Sequence, residues 1–411
     1  MSNRIILHCD LNNFFASVEM IKNPTLRGKA IAVCGDPTKR GGIVLAKSEP
    51  AKKCGVKTGM PIWQAKQLCP DIIIVTPTHM DYSRYSRIVR DVYYRYTDKV
   101  EAFGGDECWL DVTASLHLFA GDGKSMADEI RRVIREEIGL TVSVGVSWNK
   151  AYAKIGSDLK KPDATTVISR ENYRSVVFPL PVTDMLYIGG KSAKLLEKLN
   201  IRTIGDLAAF DPKLLSDHVG INAYKMTEMA RGDCTEEVKD YTYKREVKSV
   251  GNGTTMPRDI VTRRGIEQVV YLLGEEVAFR MRKKGVKGTT VTVSVRDAAL
   301  EWTSAQTTIP KATNSVQTLC DTAMKVFDKL WKRSPATGGA IAPVHSLRIA
   351  VSNLTTDTRV QLSLFDNVSE EKNDKLSAVF DDIRRKYGVE SVMFGTALGS
   401  QFKLHFEVLD D

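Results

Sequence analysis

An α+β fold is what this sequence predicts, on three observations. Strand-like and helical patterns follow one another irregularly, without the repeated strand–helix unit of a parallel sheet. Stretches such as Thr290–Arg296 alternate apolar and polar residues with period two, whereas Met126, Ile130, Val133, Ile134 and Ile138 recur at helical spacing. Glycine and proline cut residues 24–78 into short pieces. With 411 residues and 43% hydrophobic content the chain has a folding composition, long enough for about two to four domains.

Residues 4–9 form an apolar run ending at Asp10, and Asn12 and Asn13 can cap a helix carrying Phe14, Phe15 and Val18, so the start reads as strand, sharp turn, helix. Short strands such as Ala30–Cys34 make residues 24–78 a small inserted lobe. A helical pattern over 81–98 leads into two strand-like runs, 99–103 and 106–112, around Gly104-Gly105, which indicates a hairpin. The next helix stops at Gly139 and Thr141–Trp148 is again a strand. Beyond Pro162 the pattern turns helical, and Ile188–Lys191 is a Gly-rich turn between two short helices, the second over Ala193–Leu199. Such a turn can present backbone N–H groups to a phosphate. Residues 232–245 are polar and read as a linker. After it come an amphipathic helix, Ile266–Arg282, and two alternating strands, Thr290–Arg296 and Ser346–Val351. The valines of the first strand face a core, while Thr290, Thr292, Ser294 and Arg296 face out. A charged helix over about 370–386 precedes an apolar end.

The charge is unevenly placed. Residues 244–350 hold 18 Lys and Arg against 9 Asp and Glu, which accounts for the whole net charge of +9. A basic segment of domain size points to a polyanion, nucleic acid first and an anionic membrane surface second. No apolar run reaches the about 18 residues of a membrane span, and Met1–Cys9 lacks the features of a secretory signal. The seven cysteines are scattered without a CxxC pair, against a disulfide framework and against zinc. A cytoplasmic protein without membrane attachment is expected.

Asp10 ends an apolar strand, and Asp106-Glu107 follows the Gly-Gly turn. Neighbouring strand residues point to opposite faces, so two adjacent carboxylates serve one cluster only where a turn breaks the alternation. Three carboxylates converging from two strands would make an all-oxygen site for Mg²⁺, and two ions about 4 Å apart could clamp an in-line phosphoryl displacement. Taken singly, each acid reads as a solvated turn or cap residue rather than as a metal ligand.

Three stretches, 10–19, 105–111 and 147–162, resemble the palm signatures of the Y-family translesion DNA polymerases, and most closely those of the DNA polymerase IV branch. The resemblance runs in order from residue 4 to about 353. It implies a right-hand polymerase with a ferredoxin-like palm (1–12 and 79–168), small fingers (13–78) and a helical thumb with a helix-hairpin-helix (169–235). A linker (236–244), an α/β little finger (245–353) and a tail (354–411) would follow. Carried over by position, Asp10 and Asp106 would bridge two Mg²⁺ ions, Glu107 would complete the catalytic-metal site, and the Leu11 carbonyl would bind the nucleotide-associated ion. Phe15, five residues after Asp10, falls at the steric-gate position that excludes a ribose 2′-hydroxyl and is read as that gate over the alternative of two core aromatics at a helix start, with Phe14 its packing neighbour. Lys161 matches a triphosphate-binding palm lysine, and Lys52 stands where the fingers usually have arginine.

Besides Lys52, this chain departs from the family pattern at three further places. Glu49 replaces the tyrosine before that cation, and Ala46 replaces an upstream hydroxyl residue. A carboxylate facing a triphosphate would be repulsive, so Glu49 is expected to turn away or to pair with Lys47 or Lys53. Tyr187 replaces the first glycine of the thumb turn, leaving Gly189 and Gly190 as the phosphate grip. DNA contacts are expected from these two glycines and from Lys248, Ser249, Arg296 and Arg348. Gln361, Leu362, Leu364 and Phe365 match the pattern by which bacterial polymerases dock on the sliding clamp, here with 46 residues following. Primer-template DNA, dNTP and the clamp are the expected partners of a monomer. Two rivals remain open: a diguanylate cyclase, from the likeness of Gly104–Cys108 to GGDEF, and a non-catalytic DNA- and clamp-binding protein of the same fold.

Overall fold

The computed structural model describes residues 4–36, 42–119, 121–243, 245–331, 341–356, 369–388 and 391–397. They fall into two compact units, divided between residues 244 and 245.

In the first unit, β1 (Ile6–Leu11) is buried along its whole length, as a central strand covered on both faces must be. Asn13 takes a left-handed φ of 50°, which asparagine tolerates, and turns the chain into α1 (Phe14–Lys22). A small lobe follows: β2 (Ile31–Cys34), β3 (Val44–Lys47), α2 (Glu49–Lys53), α3 (Ile62–Leu68) and β4 (Ile73–Val75), with strand order β3-β2-β4. It has a core of its own around Ala32, Val44, Ala51, Ile62 and Ala65. After α4 (His79–Tyr93), β5 (Val100–Phe103) and β6 (Glu107–Asp111) form a hairpin whose turn holds Gly104 at φ +78°, a conformation glycine adopts freely.

The helix α5 (Gly123–Val133) continues through a π-helical turn, Ile134–Ile138, and stops at Gly139. Then β7 (Val142–Ser147), α6 (Lys150–Leu159) and β8 (Thr165–Val167) complete a five-stranded sheet of order β5-β6-β1-β7-β8, in which only β7 and β8 pair in parallel. Backbone meets backbone where α6 crosses β7. A Cβ on Gly145 would stand 1.9 Å from the Ala153 carbonyl oxygen, so only glycine allows the approach.

Five short helices make a third lobe: α7 (Tyr173–Val176), α8 (Gly190–Lys198), α9 (Ile204–Ala209), α10 (Pro212–Val219) and α11 (Asn222–Arg231). Its core includes Leu196, Ile204, Leu207, Leu215 and Ala230. A single 3₁₀ turn, Val182–Asp184, precedes the Gly189-Gly190 turn where a short helix was expected, and α8 starts at Gly190, three residues before the expected Ala193. Residues 236–243 carry no regular structure, yet they are tied down. Glu236 pairs with Lys150 at 3.0 Å, the Lys239 amide donates to Glu101 at 2.9 Å, and Val238 is buried beside Ile6, Trp109 and Ala153.

The second unit contains β9 (Ser249–Ile260), α12 (Arg263–Lys283), β10 (Lys287–Asp297), β11 (Trp302–Thr313), α13 (Val316–Leu330) and β12 (Val344–Thr355). Its antiparallel sheet runs β11-β10-β12-β9. Val291, Val293, Val295, Leu347, Ile349 and Val351 form one core with residues of α12 and α13. The other face carries Thr292, Ser294 and Arg296 as the alternation predicts. Thr290 is the exception: it is buried, bonded to the hydroxyl of Thr308 at 3.1 Å and to the Asn353 amide at 2.9 Å. The helix α14 (Ser369–Tyr387) docks through Asp381, which takes both arms of Arg282 at 2.6 and 2.8 Å, and through a buried ion pair of Arg384 with Glu275.

Candidate active site

The β1–β6 register sets Asp10 directly opposite Glu107, so both side chains stand on one face of the sheet. Asp106 belongs to the turn, its carbonyl accepting the Leu11 amide at 3.1 Å. Its carboxyl is pushed up to about 6, first by burial and then by the negative charge of Asp10 and Glu107. A carboxyl raised in this way by burial and by two neighbouring acids favours a cation beside it. Leu11, the last residue of β1, is buried beside them.

Part of that cation is built in. Lys154, on the face of α6 toward β1, reaches Glu107 at 3.0 Å and Asp10 at 3.2 Å, and Lys161 reaches Asp10 at 2.8 Å. Burial alone would lower the Lys154 ammonium, but Asp10, Asp158 and Glu107 outweigh it and hold it above the usual lysine range. Lys154 was missed by the sequence reading, although it lies inside the 147–162 stretch, nine residues after the glycine that lets α6 approach. With the side chains in these positions, no three Asp, Glu, His or Cys groups among the described residues are set to hold a metal ion together; Lys154 stands between Asp10 and Glu107. The donor set is nonetheless all oxygen, and the raised carboxyl of Asp106 is what a hard divalent cation would relieve.

Glu107 is held down to about 2: burial would raise it, and the hydrogen bond from His8 and the charge of Lys154 overcome that. His8 is fully buried on β1, 3.3 Å from Glu107 through Nε2 and 2.8 Å from the Ser157 hydroxyl through Nδ1. It too was missed, since in sequence it is one more residue of an apolar strand.

Phe14 and Phe15 part company in the structure. Phe14 is buried in the main core, whereas Phe15 stacks on Tyr82 with centroids 4.0 Å apart and rings 11° from parallel. Tyr82 in turn donates its hydroxyl to Glu19 at 2.7 Å. Phe14 and Phe15 nevertheless both line one cavity of about 440 Å³, with Tyr82, Arg87, Arg90 and the Gly104-Gly105 turn.

Glu49 pairs with neither Lys47 nor Lys53. Its carboxylate accepts from the Asn13 amide at 3.0 Å and lies 3.7 Å from Lys52, which corrects the expectation: Asn13, in its left-handed turn, is the nearer donor. Lys47 donates to Thr58 at 3.3 Å. Its ammonium is lowered by burial and by the positive charge of Lys52 and Lys161, partly offset by Glu49. Lys47, Lys52 and Lys161 therefore share one positive field close to the carboxylates.

Elsewhere in the first unit, Gly189 caps α8 and Gly190 opens it, and a Cβ on either would meet nothing within 4 Å. Tyr187 adopts a left-handed φ of 69°, the conformation that a glycine would take at no cost there, and Lys225 lies over its ring at 5.4 Å. In the second unit, Lys248, Ser249 and Arg348 are exposed, and Arg348 pairs in register with Ser294 and Gly253. Arg296 donates to the Leu300 carbonyl at 2.8 Å and lies over Trp302. Gln361, Leu362, Leu364 and Phe365 lie outside the described residues.

Comparison with known proteins agrees with this layout. A model of the impB/mucB/samB family matches residues 9–158, and one of that family's C-terminal domain matches residues 247–364. The chain is 42% identical to a DNA polymerase IV of Acetivibrio thermocellus, over 96% of this chain and 98% of that protein. It is 33% identical to DNA polymerase IV 1 of Bacillus subtilis, over 96% and 94%. Among solved structures, a chimeric Y-family DNA polymerase superposes with a TM-score of 0.73 at 25% identity, covering 86% of this chain and 100% of the other.

Proposed function

The chain belongs to the Y family of DNA polymerases, in the DNA polymerase IV branch, and on that premise we propose that Asp10, Asp106 and Glu107 form its nucleotidyl-transfer centre. It is a DNA-directed DNA polymerase of translesion synthesis, acting on DNA and dNTPs. The rival readings, a cyclase and a non-catalytic relative, find no support.

The observation that supports the assignment is the convergence of three carboxylates: Asp10 and Glu107 are partners in the β1–β6 register and Asp106 stands in the adjoining turn, its carboxyl pushed up to about 6 by burial first and then by the charge of the other two. The family works with divalent metal; two Mg²⁺ ions held by these carboxylates and by the Leu11 carbonyl would lower the pKa of the primer 3′-hydroxyl and stabilise charge on the α-phosphate. The protein's own groups do the rest. Lys161, Lys52 and Lys47 supply the positive field for the triphosphate, and the Asn13 amide and Lys52 engage the Glu49 carboxylate, which lessens the repulsion expected from it. Phe15, braced flat against Tyr82, closes the sugar site to a 2′-hydroxyl.

Duplex DNA is assigned to the open Gly189-Gly190 turn and to the outer sheet face with Arg296 and Arg348. That face is lined by Gly251, Gly253, Ser294 and Ser304, small residues that let a phosphate backbone come close. Residues 1–12 with 79–168, 13–78, 169–235 and 245–353 are read as palm, fingers, thumb and little finger. Gln361–Phe365 is read as the clamp-docking motif of a monomeric, cytoplasmic enzyme; among the described residues no helix is long and apolar enough to cross a membrane. Primer extension on undamaged and abasic templates, with and without a sliding clamp, tests the reading. The parent protein is expected to extend both templates and Asp106→Asn neither; a parent inactive on both would overturn it.

A further inference from the structure

We propose that His8 is a positioning residue for Glu107, fixing the carboxylate through a tautomer that Ser157 selects. The inference rests on the reading of Glu107 as a metal ligand. His8 lies fully buried on β1, with its ring edge-on to Trp109 at 5.1 Å, so it has little freedom to rotate. Its two nitrogens each face one partner: Nδ1 meets the Ser157 hydroxyl at 2.8 Å, and Nε2 faces Glu107 Oε2 at 3.3 Å. Both atoms are buried, and among the described residues neither has a hydrogen-bond partner beyond this 3.3 Å contact.

Hydrogen counting then decides the tautomer. The Ser157 hydroxyl has one hydrogen and two acceptors in reach, His8 Nδ1 and the Lys154 carbonyl, both at 2.8 Å. Were it given to the carbonyl, Nδ1 would have to donate to Ser157, and in a neutral imidazole Nε2 would turn a lone pair on the carboxylate. Given to Nδ1, it leaves the hydrogen on Nε2, which donates to Glu107, while the Lys154 carbonyl keeps the amide bond of its helix. Only the second arrangement leaves no buried group opposed or unpaired. Glu107 is then held from two sides, Oε2 by His8 and Oε1 by Lys154 at 3.0 Å. Because Lys154 and Ser157 lie on the same helix, the crossing of α6 over β7 places both supports together.

Mn²⁺ binding, followed by electron paramagnetic resonance in the complex with dideoxy-terminated primer-template and dNTP, tests this without turnover. His8→Leu is expected to weaken Mn²⁺ binding about 10–100-fold, as loss of a group that orients a ligand does. His8→Gln, whose amide nitrogen can take the place of Nε2, should restore binding to within about threefold of the parent, while His8→Asn, which takes the place of Nδ1, should not. Ser157→Ala, a milder change should His8→Leu fold poorly, is expected to weaken binding about threefold or more. Parental binding in both His8→Leu and Ser157→Ala would overturn the proposal, as would a His8→Gln defect equal to that of His8→Leu. Glu107→Gln separates the two failures: if it binds Mn²⁺ like the parent, the ligand reading itself is wrong and the inference falls with it.

Discussion

Gly145→Ala is a one-methyl change away from the carboxylates that should nevertheless disable them. The added Cβ would lie 1.9 Å from the Ala153 carbonyl oxygen, 2.4 Å from the Ser157 amide nitrogen and 2.8 Å from the Gly156 carbonyl carbon. Non-bonded atoms are comfortable at about 3.5 Å, so α6 must move off β7 by roughly 1.5 Å. All three obstacles are backbone, which no rotamer change relieves. Overpacking costs about 1–3 kcal/mol and backbone obstruction belongs at the upper end, so about 3 kcal/mol is expected. For a unit of this size that lowers the melting temperature by about 6–12 °C. The same shift carries Lys154 away from Asp10 and Glu107 and Ser157 away from His8. A displacement on the order of 1 Å can cost about 100-fold in rate, so extension per folded molecule should fall by about that factor. Differential scanning calorimetry and single-turnover extension at 20 °C read the two effects. Gly156→Ala, whose Cβ would stand 3.0 Å from Gly145 Cα and 3.3 Å from the Thr166 carbonyl oxygen, should give a smaller loss of both. A Gly145→Ala protein that melts within 2 °C of the parent, on the order expected of a neutral substitution, and extends at the parental rate would refute the reasoning.

Phe15→Ala should admit ribonucleotides, seen as primer extension with rNTPs alone; equal exclusion by parent and variant removes the gate assignment. Asp106→Asn should abolish extension yet melt higher than the parent when both are free of metal, because it removes a carboxyl raised from 3.8 to about 6. The penalty it removes is absent below about pH 4, grows between there and 6, and is full above. After discounting for partial exposure the gain is roughly 1–2 kcal/mol, readable as a melting-temperature difference at pH 7.5 that vanishes at pH 4. In the second unit, Arg384→Ala leaves Glu275 buried and unpaired, at a cost of about 3–5 kcal/mol, and Glu275→Leu in the same chain should recover most of it. Denaturant melts of the two variants check this, and equal stability of single and double variants would count against it.

What could be read from the sequence was whatever periodicity or a turn residue encodes. The alternation at Thr290–Arg296 gave the inner valines, the Gly104-Gly105 pair gave the hairpin, and together with Asp10 they located the acids. Features decided by tertiary contact were not legible. Thr290 follows the outward pattern but is buried, because Thr308 and Asn353 both bond to it. His8 sits in an apolar run with nothing to mark it as polar support. The partner of Glu49 could not be found by looking along the chain, since Asn13 lies 36 residues away and meets it only because the left-handed turn at Asn13 aims its amide there. Tyr187 looked like damage to a glycine motif, whereas its backbone takes the left-handed conformation that a glycine would supply.

The two lysines at the carboxylates and the basic segment at 244–350 answer different electrostatic needs. Surplus charge on a surface needs no particular partner within the fold, so exposed residues such as Arg348 and Lys248 carry it and composition alone reveals the excess. A cluster of one buried and two half-buried acids is costly to leave uncompensated, because the partly desolvated charges would repel one another. Lys154 bridges Asp10 and Glu107, and Lys161 adds a second contact to Asp10. Asp106 forms an ion pair with neither, and its carboxyl is raised by burial and by the charge of its two neighbours. The structure thus leaves its electrostatic deficit at the residue that joins the turn to the strand, and a divalent ion arriving at the cluster gains most there. It follows that Lys154→Met should raise the Asp106 carboxyl further and weaken the metal-free fold, rather than open the site for tighter metal binding.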